Sequence, residues 1–100
     1  MRQIEKEMLR AINERETKTL GNTFVRFDAD DNVSAVFLHG NHIADFWHPL
    51  EWNAGGIEPN LDTLAEWPTP TTKSRLRALG VNVTQSRGVV AIDGEVVCHV

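Results

Sequence analysis

One hundred residues, 41% apolar and 24% charged, have room for one modest hydrophobic core and not for two. A net charge of −4 excludes the broad basic footprint of a general nucleic-acid binder, and without runs of Asp or Glu the chain falls short of a DNA mimic. The single cysteine, Cys98, excludes an internal disulfide, and no apolar run reaches the roughly 18 residues of a membrane span.

Residues 2–17 predict an amphipathic helix. Ile4, Met8 and Ile12 recur every four residues with Ala11 beside them, and charges fill the other positions. Glu5 complements the helix dipole near its start, and Gly21 is a stop signal. The opening Met1-Arg2-Gln3-Ile4 is not a secretory leader, so a cytoplasmic setting is expected. Residues 22–28 alternate as a strand, followed by the polar turn Ala29-Asp30-Asp31-Asn32. Residues 33–38 and 43–47 then read as strands around Gly40-Asn41, a two-residue loop suited to a primed hairpin turn. That turn sets a register: His39 against His42, Phe37 against Ala44, Ala35 against Phe46 and Val33 against His48. Large apolar groups fall on both faces, so each face is expected to be covered, one by helices and the other by a partner or a second copy of the chain.

Residues 49–69 change character. Gly55-Gly56, Pro59 and Pro68 interrupt them, yet Trp52, Leu61, Leu64 and Trp67 supply apolar anchors. Such an excursion is expected to be an ordered loop carrying function, with a short helical turn at residues 61–67. Thr71-Thr72 after Pro70 predicts the cap of a helix over residues 73–79 that Gly80 ends. Residues 81–85, 89–92 and 95–99 finish the chain as strands, with Asp93-Gly94 a type I′ turn signal.

Two phrases match: Val36-Phe37-Leu38-His39-Gly40-Asn41-His42-Ile43 and Val90-Ala91-Ile92-Asp93-Gly94-Glu95-Val96-Val97. Each follows a strand opening on asparagine and a helix carrying Leu-Arg-Ala-Ile/Leu. The expected fold is therefore α+β: one domain of two helices on antiparallel β-meanders, with repeat halves 1–48 and 70–100 joined by the loop.

Chemistry-bearing groups are few. His39 and His42, facing across the hairpin, would need a third ligand to hold zinc, and His48 lies too far along the strand for one ion, so neither metal nor cofactor is expected. Thr71, Thr72, Lys73, Arg75 and Arg77 at a helix start form a candidate phosphate site, though without the glycine-rich cradle of a P-loop. Trp47, Trp52 and Trp67 crowd into one fifth of the chain and form, with His48 and the neighbouring Arg75 and Arg77, a candidate partner-binding surface. No nucleophile–base arrangement, Cys-x-x-Cys or His-Glu-x-x-His occurs; Asp28, Asp30 and Asp31 lack the rest of an EF-hand loop, and Cys98 sits in an apolar strand. An enzyme is not expected.

The run Leu38-His39-Gly40-Asn41-His42-Ile43-Ala44, the earlier Gly21-Asn22-Thr23, and Trp67-Pro68-Thr69-Pro70-Thr71-Thr72-Lys73-Ser74-Arg75-Leu76 together resemble small accessory proteins of tailed bacteriophages and prophages. The resemblance covers nearly the whole chain and implies action inside a bacterial host; it carries over no catalytic residue. With it, the leading expectation is a non-catalytic protein that occludes a host or defence component, such as a nuclease, a CRISPR or restriction complex, or RNA polymerase. The alternatives are a nucleic-acid or nucleotide binder through the 71–77 helix start, and a structural homo-oligomer paired through the edge at residues 96–100.

Overall fold

The computed structural model describes residues 1–100 and is an α+β fold of three helices and two antiparallel sheets. Helix α1 (Gln3–Asn13) precedes β1 (Lys18–Leu20), β2 (Thr23–Asp28), β3 (Val33–Leu38), β4 (Asn41–Trp47) and β5 (Gly56–Pro59), which form one sheet in that order. Helices α2 (Leu61–Glu66) and α3 (Pro70–Ala78) lead into β6 (Val83–Ser86), β7 (Val89–Ile92) and β8 (Glu95–His99), a separate three-stranded sheet. No helix is long and apolar enough to cross a membrane.

Helix α1 stops at Asn13, four residues short of the expected end. Arg15 takes a left-handed φ of 53°, its amide bonds Ile12 O, and the Glu16 amide bonds Ala11 O. That pairing is a Schellman motif, hidden from the sequence because arginine stands where glycine is usual. Helix α3 ends the same way with the expected Gly80, whose amide bonds Arg77 O while Val81 N bonds Leu76 O. Its start is corrected: the cap is Thr69, which accepts from the Thr72 amide, with Pro70 as first helical residue.

The first hairpin turns at His39-Gly40 and not at Gly40-Asn41. A type I′ turn needs positive φ at both central residues, and these have 50° and 79°. The pairs are Leu38 with Asn41 and Phe37 with His42; after a bulge, Val36 pairs with Ala44, Ala35 with Asp45, Ser34 with Phe46 and Val33 with Trp47. The expected His39–His42 pair is therefore absent. The bulge places both Ile43 and Ala44 in the core. The second phrase folds alike: Asp93-Gly94 turns with φ of 51° and 85°, and the register shifts between Val90 and Ala91. In each case the amide of the first turn residue bonds the carbonyl of the asparagine just before the meander's first strand, His39 to Asn22 ahead of β2 and Asp93 to Asn82 ahead of β6.

One cluster of 15 buried residues draws on every helix and both sheets: Met8 and Ile12, Val25, Val36 and Ile43, Leu64, Leu76, Val83 and Val90 are among them. A buried ion pair crosses it. Arg75 on α3 donates to Glu5 on α1 at 2.8 Å, to Thr23 Oγ1 at 3.1 Å and to Asn22 Oδ1 at 3.3 Å, while Ser74 donates to the same Glu5 oxygen. The outer face of the first sheet is shielded by its own side chains: Arg26 lies over the Phe37 ring, which also contacts Phe24 and His42.

Candidate functional site

The tryptophans do not form one surface. Trp47 ends β4 opposite Gly56, is 39% exposed, and donates its indole N–H to Glu58. Beyond it the chain makes a tight loop. Leu50 and Asn53 exchange two backbone hydrogen bonds, the Asn53 side chain accepts from Gly55 N, and a Cβ on Gly55 would come within 2.2 Å of Trp47 O. This ordered loop holds Trp52 out into solvent at 81% exposure, with Leu50 also exposed.

Trp67 lies at the opposite end of β4. The Asn60 amide bonds Ile43 O, so α2 starts alongside the first residues of β4, and α2 hands over to α3 near the His39-Gly40 turn. The seven residues of β4 separate the two ends by about 20 Å. Here Trp67, 51% exposed, joins Leu38, His39, Asn41, Thr69 and Thr72 around a cleft of about 340 Å³. The Leu-His-Gly-Asn and Trp-Pro-Thr-Pro-Thr-Thr motifs, distant in sequence, thus meet at one place. Each motif is visible in the sequence; only the fold shows that they share a cleft.

Other residues of the expected surface face inward. His48 is 5% exposed; its Nε2 lies 2.8 Å from Ser34 Oγ, and its ring packs edge-on between Phe27 and Phe46. Burial, with the nearby Arg15 charge, pushes its pKa below the ordinary 6.5. Arg75 is 2% exposed and held by Glu5. Burial alone would raise the Glu5 pKa, but hydrogen bonds from Ser74, Arg75 and the Arg2 amide, with the Arg75 charge, hold it below the ordinary carboxylate value. Arg77 is exposed but donates to Val83 O.

The candidate phosphate site is likewise occupied by the fold's own bonds. The Thr72 amide donates to Thr69 Oγ1 and the two hydroxyls share a hydrogen bond, Lys73 is buried against Gln85, and Arg75 and Arg77 are committed as above. Thr71, half-buried, has no side-chain hydrogen bond. Of the other histidines, His42 pairs with Asp45 at 2.8 Å and His39 sits exposed in the turn; no three His, Cys, Asp or Glu side chains gather as metal ligands.

No curated protein and no solved structure matches the chain. A family model described as Kyanoviridae Gp96 protein matches residues 1–99. That match spans nearly the whole chain and bears out the expected phage origin: the protein belongs to the Kyanoviridae Gp96 family of phage proteins.

Proposed function

We propose that this phage protein is a non-catalytic binding module that covers part of a bacterial host or defence protein and so inhibits or modulates it. One observation carries the reading. Trp52, flanked by Trp47 and Leu50, is held almost fully exposed on a loop that its own backbone hydrogen bonds keep ordered. Monomeric proteins rarely leave a tryptophan so uncovered, and tryptophan is the residue most enriched at binding hot spots. An ordered loop also loses little entropy on docking. Arg75 and His48 drop out of this surface because they are buried, and Trp67 belongs to the other end of the molecule.

A tagged pull-down from the bacterial host, with and without nuclease, tests it. The expected result is a protein partner retained after nuclease treatment and lost with Trp52→Ala. Trp67→Ala should retain it. A Trp52→Ala variant that still captures the partner with unchanged affinity removes the loop from consideration. Loss of all partners after nuclease treatment moves the weight to nucleic acid.

A second reading rests on β8. It is the outer strand of its sheet; Val96 on it and Val100 just after it are exposed. Helix α2 packs beside β8, and where the helix leaves the strand open an apolar edge is a template for pairing with a second copy. Light scattering separates the readings: a concentration-dependent dimer abolished by Val96→Lys favours the edge.

A further inference from the structure

We propose that a cavity of about 460 Å³ at the C-terminal end of α1 is a binding site for a small aromatic monocarboxylate. Nothing in the partner-binding reading requires it. Its volume lies within the range that holds small ligands and leaves room for a one-ring molecule. Leu9 and Ile12 from α1, Leu79 after α3, and Phe46 and Pro49 supply the apolar walls. The polar lining is Asn13, Arg15 and His48. No carboxylate borders the cavity, so the one full charge at it is positive.

His48 gives the site its direction. The ring is almost wholly buried, yet only Nε2 has a protein partner, Ser34. No fully buried side-chain nitrogen or oxygen in the protein lacks a partner. Nδ1, which has none, is therefore not fully buried, and His48 lines this cavity. When Ser34 donates to Nε2, the neutral imidazole carries its hydrogen on Nδ1 and donates it outward. Arg15 stands at the same cavity, makes no ion pair, and is kept in the left-handed conformation that closes α1. Asn or Gly would fill that backbone position with less strain; arginine there puts an exposed, uncommitted cation at the rim of the cavity.

A carboxylate fits this combination. The planar guanidinium accepts it in two parallel hydrogen bonds, and the imidazole N–H reaches one of the same oxygens. An attached aromatic ring would lie against Phe46, whose ring already meets His48 edge-on at 5.1 Å. A cationic ligand finds no counter-charge, and a neutral one leaves Arg15 unused.

The test titrates the full-length protein with 3-phenylpropanoate, 3-phenylpropanol and 3-phenylpropylamine, followed by NMR of backbone amides and the His48 imidazole. The expected result is saturable binding of the acid, with shifts centred on Leu9, Phe46, His48 and Leu79. The alcohol should bind about tenfold more weakly and the amine not measurably, since a charge-assisted hydrogen bond is worth that much. Arg15→Asn keeps the helix end and should reduce affinity for the acid to that of the alcohol. Leu9→Trp, which fills the cavity from a half-buried position, should abolish all three. Equal binding of acid and alcohol, unchanged affinity in Arg15→Asn, or shifts that map elsewhere would each overturn the proposal. Trp52→Ala should leave the titration untouched, so failure here is distinct from failure of the partner-binding reading.

Discussion

Glu5 and Arg75 show how far a residue's role can lie from its local pattern. In the sequence Glu5 is a helix-dipole residue and Arg75 a candidate phosphate or partner contact. The fold joins them across 70 positions into one buried ion pair. No local signal announces such a partner, because burial of α3 is decided by the packing of both sheets. Removing one member leaves the other charge buried and uncompensated, so Glu5→Ala and Arg75→Ala should each cost about 3–5 kcal/mol in urea unfolding. The double variant should cost less than their sum. An Arg75→Ala variant of unchanged stability would restore Arg75 as a contact residue. The pKa shifts make a matching pH prediction. His48 is harder to protonate folded than unfolded, so its contribution is full above 6.5 and declines as pH falls from there towards its lowered folded value. Glu5 is harder to protonate too, so its contribution is present above 4.5 and is lost as pH falls through its folded value. Melting temperature should therefore decline as pH falls below 6.5, and His48→Gln should flatten the first part of that decline; an equal decline in the variant would assign it to other groups.

At the scale of elements, what the sequence shows well is what local chemistry decides. Helix α3, the hairpins, the β7–β8 turn and the α2 turn all carry their own capping or turn residues. The short edge strands β1 and β5 do not; three and four residues with little alternation pair only because a neighbouring strand offers hydrogen bonds. Pro59 is tolerated there because β5 is an edge. The first turn was displaced by one residue because Gly-Asn and His-Gly are both compatible with a primed turn, and the bulge decides between them by burying Ile43 with Ala44. Since His39 and Asp93 occupy the same left-handed position, His39→Asn and Asp93→Asn should each stabilise the protein by about 0.5 kcal/mol, Asn being the better residue there. Opposite signs for the two would show that the turns are not equivalent. Gly55→Ala should act the other way. Its Cβ would strike the Trp47 carbonyl, and with φ of 72° the loss should exceed about 1 kcal/mol. Because the same loop presents Trp52, partner binding should weaken along with stability.

The two sheets share no ladder of hydrogen bonds, and each would be a marginal structure alone. What unites them is the apolar cluster between: Leu64 and Leu76 from the connecting helices meet Val36 and Ile43 on one side and Val83 and Val90 on the other. The radius of gyration, 13.4 Å, is that of a single compact 100-residue body. This layout explains why the function was less legible than the fold. Three tryptophans within one fifth of the sequence look like one patch, but β4 runs between them and puts Trp52 and Trp67 at opposite ends. The cluster also makes the sheets thermodynamically inseparable, since removing either exposes the other's buried face. Urea unfolding should therefore give one transition, with the same midpoint by tryptophan fluorescence, which reports on β4, the loop and the α2–α3 junction, and by amide NMR at Val90 in the second sheet. A fragment of residues 1–60, lacking Leu64, Leu76, Val83 and Val90, should be unfolded by circular dichroism. A folded fragment, or two separated midpoints, would mean that the five-stranded sheet holds together without its smaller neighbour.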